Sequence, residues 1–214
     1  MVWAGVHDLP LFIAAGLLLN ITPGADLALI GARSAAQGFR SGAAAALGVG
    51  AGCFVHVAAA ALGLSALIAS SAAAFTVLRW VGAAYLVWLG IGLLLGSGAA
   101  PSAVAAAPAA TWRRSFAQGF LTNALNPKVA LFFLAFLPQF IDAAGPDKAL
   151  AFVALGAVFA VNGTVVNVVF AAMIVGLRGA LGSQPALGRW LARSVGAVFI
   201  ALGVRLAWFD GVGR

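Results

Sequence analysis

The chain has 214 residues, of which 64% are hydrophobic and only 8% charged, and it carries a net charge of +7. Water-soluble domains carry about a quarter charged residues, so this composition, with a mean hydropathy of +1.09, excludes an ordinary soluble domain and predicts an integral membrane protein. The basic residues lie singly at the ends of apolar stretches, which argues against a nucleic-acid surface, and the lone Cys53 excludes an internal disulfide, a CxxC redox pair and a thiolate metal cluster.

Six apolar segments follow in order, at about 9–31, 41–69, 73–95, 116–141, 149–177 and 191–209. A helical crossing of a ~30 Å hydrocarbon core takes about 20 residues, so the expected fold is an all-α membrane protein of about six transmembrane helices. Five spans and one re-entrant segment would also fit. The first ten residues contain no basic n-region, and no cleaved leader is expected. Arg33 and Arg40 fall between segments one and two, Arg113 and Arg114 between three and four, and Arg178 and Arg189 between five and six. The positive-inside rule places these loops in the cytoplasm and both termini outside.

Residues 97–111, rich in Ala, Pro, Gly and Ser, read as a flexible cytoplasmic linker between a first half at 1–96 and a second at 112–214. Three spans per half is an odd number, so a duplicated unit would insert the second time upside down. Each half also opens with an interrupted helix. Asn20-Ile21-Thr22-Pro23-Gly24-Ala25-Asp26 breaks segment one, and Asn123-Ala124-Leu125-Asn126-Pro127-Lys128 breaks segment four. Proline removes a backbone N–H and clashes with the preceding turn. Paired broken helices in corresponding positions of two inverted halves point to a substrate site near the midplane. Gly48 and Gly52, like Gly92 and Gly96, have GxxxG spacing, which suits close helix packing within one chain and leaves a homo-oligomer open.

Asp26 is the strongest candidate, because an intramembrane carboxylate must face a cavity or a partner. It could anchor a substrate ammonium or carry a proton; it could also cap the restarted helix or pair structurally with Lys128. Lys128 lies about 12 residues, or roughly 18 Å, into segment four, too deep for easy snorkelling. A carboxylate ligand and a permanent ion pair are equally good readings of it. Asn20, Thr22, Asn123 and Asn126 surround the breaks, where some must satisfy carbonyls that Pro23 and Pro127 leave unpaired. Gly24 loosens the first break, and the unwound backbone itself offers polar groups. Asn162, Thr164 and Asn167 add polar atoms in segment five. His56 among Val and Ala reads more readily as structural than as a proton relay, and Gln118 has no assigned role.

These motifs resemble the LysE/RhtB family of bacterial amino-acid exporters over nearly the whole chain. The resemblance rests on Pro23-Gly24-Ala25-Asp26, Gly38-Phe39-Arg40-Ser41-Gly42, Gly119-Phe120-Leu121-Thr122-Asn123 and Asn126-Pro127-Lys128. Ala25 stands where the family's Pro-Gly-Pro-Asp has its second proline, which should leave this break less rigid. The resemblance implies a multi-pass exporter of the bacterial inner membrane that moves amino acids or related metabolites with the proton gradient. Expected partners are the small-molecule substrate, protons and membrane lipid, with no cofactor, metal or nucleic acid. No P-loop is present to couple a nucleotide. A membrane-embedded enzyme using Asp26, or a structural or channel-like subunit, are the alternatives; no nucleophile–base pair or clustered carboxylates favour the enzyme.

Overall fold

A computed structural model of the chain describes residues 5–64, 110–142, 145 and 147–176, with scattered positions in 76–95 and 197–204. The third and sixth segments fall largely, and the linker at 97–111 almost wholly, outside the described residues. Among the described residues every regular element is helical, apart from an isolated antiparallel bridge between Val6 and Ile141.

The first broken helix begins with α1, Leu9–Ile21, which has Pro10 in its first turn, where a missing N–H is harmless. Pro23 has no N–H to give Leu19 O, so the Thr22 N–H takes that carbonyl at 3.2 Å and the Thr22 hydroxyl turns back to Leu18 O at 2.7 Å. After an extended Gly24 the chain restarts as α2, Ala25–Gln37, bent 55° from α1. Gly38, with φ of +83°, makes the turn into α3, Phe39–Ala59. A side chain would be strained in that left-handed conformation. The last turn of α3 widens to a π-helix over Ala60–Leu64.

The second broken helix has the same plan. Thr111 caps α4, Trp112–Ala124, by accepting the Arg114 N–H at 3.3 Å. Then α5, Pro127–Ala135, starts at Asn126, whose Oδ1 accepts the Lys128 N–H at 3.0 Å. The bend between them is 48°, and a 3-10 turn at Leu137–Phe140 follows. Asp147 accepts the Leu150 N–H at 2.9 Å and opens α6, Lys148–Gly176. The 26 residues of Phe39–Leu64 and the 29 of α6 are each long and apolar enough to cross a membrane, and each bent pair adds one crossing if taken as a single span.

Both interrupted helices extend beyond the apolar segments at their polar ends. Nothing between Gly31 and Gly38 stops α2, so Arg33 lies in the helix, 4% exposed, and not in a loop. It donates from Nη2 to Gln118 Oε1 on α4.

Packing differs on the two sides of the breaks. Phe12, Phe132, Phe133, Phe136, Phe140, Phe152 and Phe159 fill a core among α1, α5 and α6. There Phe132 stacks on Phe136 and Phe159 with ring centroids 4.8 and 4.9 Å apart. On the other side small residues dominate, with Ile30, Ala45, Ala46, Val49 and Ala171 buried together. A Cβ at Gly48 would lie 2.0 Å from Phe116 O, one at Gly52 2.5 Å from Phe120 O, and one at Gly119 2.1 Å from Ala45 O. The Gly48–Gly52 pair thus brings α3 and α4 together backbone to backbone within one chain, in contacts that larger side chains would prevent. Gly96 of the second pair lies outside the described residues.

Candidate functional site

The two breaks meet where the aromatic and small-residue cores adjoin. The pairing is reciprocal. Asp26, in the first turn of α2, presents Oδ2 to two amides of the other broken helix: Asn123 Nδ2 donates to it at 2.9 Å and Asn126 Nδ2 at 3.2 Å. Lys128, in the first turn of α5, reaches back to the first break, and its Nζ donates to Thr22 O at 3.2 Å.

Helix dipoles make the two charges unequal. An acid in the first turn of α2 is favoured by the N-terminal end of that helix, whereas a lysine in the first turn of α5 is opposed by its own. Lys128 gains instead from the carbonyl end of α1. Its position therefore serves the contact between the two breaks more than the stability of α5. Asp26 and Lys128 form no contact ion pair; each is held by polar groups of the opposite break. The permanent-pair reading of Lys128 is not the arrangement found.

The carbonyls freed by proline are accounted for. Pro127 has no N–H for Asn123 O, and two donors replace it: the Asn126 N–H at 2.9 Å and His56 Nε2, from α3, at 2.8 Å. Because the partner is a carbonyl, Nε2 carries the hydrogen. His56 thus acts as a structural donor, fixing the residue whose amide holds Asp26.

A small cavity opens beside these groups. Asn20, Thr22, Gly24, Asp26, Asn123, Lys128 and Asn167 line it, together with Thr164. Asn126 stands behind Asp26, and Pro23 and Pro127 shape the breaks without lining it. Asn162 does not line it either. The reason is helical phase: Ala160, Gly163, Thr164 and Asn167 share one face of α6, and position 162 lies off that face. Leu19, Leu27, Val49, Gly50, Cys53, Val129 and Phe159 complete the wall. Sequence reasoning passed over them because small and apolar residues carry no signal until helix rotation is known. Three buried polar atoms around the cavity have no partner in the protein: Asp26 Oδ1, Asn123 Oδ1 and Asn20 Nδ2. Two acceptors and one donor, with an ammonium near by, are what a ligand bearing both an amine and a carboxyl or carbonyl group could satisfy.

An apolar helical protein with charged and amide side chains gathered at two interrupted helices is a polytopic membrane protein with a polar centre. The description "LysE type translocator" belongs to the family model that matches residues 17–209, and the chain belongs to that family. It is 30% identical over 211 residues to an uncharacterized membrane protein of Pseudomonas aeruginosa, covering 95% of this chain and 96% of that one. A homoserine/homoserine lactone efflux protein of Salmonella typhimurium is 30% identical over 92% of this chain and 94% of its own. A leucine efflux protein of the same species is 24% identical over 95% and 96% respectively. No solved structure matches the chain.

Proposed function

We propose that this translocator is a proton-coupled secondary exporter of amino acids or closely related small metabolites in the bacterial inner membrane. The observation that carries the reading is the Asp26 carboxylate. One oxygen is held by Asn123 and Asn126 of the other broken helix, and the second is buried without a partner beside the cavity that Asp26 and Lys128 both line. In this reading Asp26 Oδ1 and Asn123 Oδ1 take the substrate ammonium. Lys128 and Asn20 Nδ2 take the carboxylate, or the carbonyl of a derivative. Thr22, Gly24, Thr164 and Asn167 contribute the remaining polar wall. Proton and substrate ammonium use the same carboxylate in turn, and that exclusion is the coupling.

An inverted repeat, with 1–96 and 112–214 as its halves and 97–111 as the cytoplasmic linker, suits this mechanism. It is supported by the bends of 55° and 48° and by the direction of the contacts. Thr22 meets Lys128, Asp26 meets Asn123 and Arg33 meets Gln118, so the two broken helices run antiparallel. The test is efflux from proteoliposomes loaded with a panel of labelled amino acids and their lactones or esters, with and without an imposed proton gradient. Gradient-driven release of one or a few panel members is expected. Release insensitive to the gradient, or none from folded protein, would overturn the coupled-exporter reading.

A further inference from the structure

Beyond the site, α2 and α4 stay in contact through polar side chains. Asp26 meets Asn123; seven residues on, Arg33 Nη2 donates to Gln118 Oε1; four further on, Gln37 Oε1 accepts the Ala110 N–H at 3.2 Å. Seven and then four residues keep these rungs on one face of α2. The result is a polar seam from the cavity to the ends of both helices, the end that the arginine bias assigns to the cytoplasm. Beside it, Ser41 and Ser115 hydroxyls are 2.8 Å apart and Gln37 Oε1 also accepts from Ser41 Oγ at 3.0 Å.

The middle of the α3–α4 contact is built differently. Gly48, Gly52 and Gly119 bring the backbones together there, with polar contacts toward either end, Ser41 to Ser115 and His56 to Asn123 O. A buried arginine inside a membrane protein is costly when it only holds helices together, and it commonly marks a path that water and substrate use. α2 is also jointed at both ends, by Gly24 after the break and by Gly38 in the left-handed region.

We infer that α2 is the cytoplasmic gate of the cavity, hinged on α3 at Gly38 and latched to α4 by Arg33 and Gln118. In this structure the Arg33–Gln118 latch is made. Opening swings α2 away from the welded α3–α4 pair and turns the polar seam into the wall of an access path. Asp26 heads the same helix, so what binds there bears directly on the latch. The inference uses the exporter reading only to say what passes through.

Cys53 supplies a test that needs no substrate. It is the sole cysteine of the chain, it is 3% exposed, and it lines the cavity. Its modification by a small cationic, membrane-impermeant methanethiosulfonate is followed in vesicles of known orientation, with reagent added from either side. Gln118→Leu removes the acceptor of a hydrogen bond to a charged donor, and roughly a tenfold faster reaction from the cytoplasmic side alone is expected. Gln118→Glu gives Arg33 an ionic partner and should slow the reaction from that side and slow transport with it. Equal rates in wild type and both variants would overturn the gate, as would acceleration from both sides. A failed efflux panel combined with this one-sided response would reject the substrate assignment and keep the gate.

Discussion

Asn126 serves two helices with one amide. Its Oδ1 caps α5 and its Nδ2 holds Asp26. Serine is as good an N-cap as asparagine but has no amide to offer, so the two duties can be separated. Asn126→Ser should leave thermal stability near that of the wild type and reduce efflux, whereas Asn126→Ala should also lose about 1 kcal/mol of stability. Equal efflux from both variants and wild type would show that the second contact to Asp26 is dispensable. His56 is a parallel case one helix away. Removing its N–H in His56→Leu leaves Asn123 O with a single donor, a loss of about 1 kcal/mol. His56→Gln, which offers an amide N–H, should recover part of both stability and transport. If the leucine variant transports as well as wild type, His56 is not needed to place Asn123.

The interrupted helices are built so that local stability is given up at the site. Pro127→Ala restores an N–H in line with Asn123 O, in competition with His56. The α4–α5 bend should relax, thermal stability should hold or rise, and transport should fall. Such opposite signs are characteristic of positions where function opposes stability. A variant that is both straighter and fully active would remove the bend from the mechanism. The α3–α4 contact should respond in the opposite way. A Cβ at Gly119 meets Ala45 O at 2.1 Å, which is backbone and cannot give way as a side chain could. Gly119→Val should therefore lose at least the ~1–3 kcal/mol typical of overpacking, seen as loss of monodisperse protein in detergent.

For the molecule as a whole, the two breaks were legible because proline, glycine and a charge within a few residues are rare in apolar runs. Asp26, Lys128 and the asparagines stand out for the same reason, and Asp26, Lys128, Asn20, Asn123 and Asn167 line one cavity while Asn162 does not. Hydropathy falls after Gly31 and points to a loop at Arg33, yet the helix continues to Gln37, where glycine finally stops it. Partnership decides the fate of a charge, and Gln118 is 85 residues away in the chain. The mutual arrangement of the breaks was equally hidden. A permanent Asp–Lys pair is one of two equal sequence readings of Lys128, but each charge is held by amides or a carbonyl of the facing break. Asn162 and Thr164 look alike as polar residues in an apolar helix, and only the rotation of α6 separates them.

The proposed export mechanism turns on Asp26 as the group that proton and substrate share. The most direct test is gradient-driven efflux by Asp26→Asn in proteoliposomes, beside wild type, with the variant shown to be folded. Asparagine keeps the size and the polar contacts but can neither bind a proton nor balance an ammonium. Uphill transport should be abolished. Full gradient-driven efflux by Asp26→Asn would contradict the mechanism.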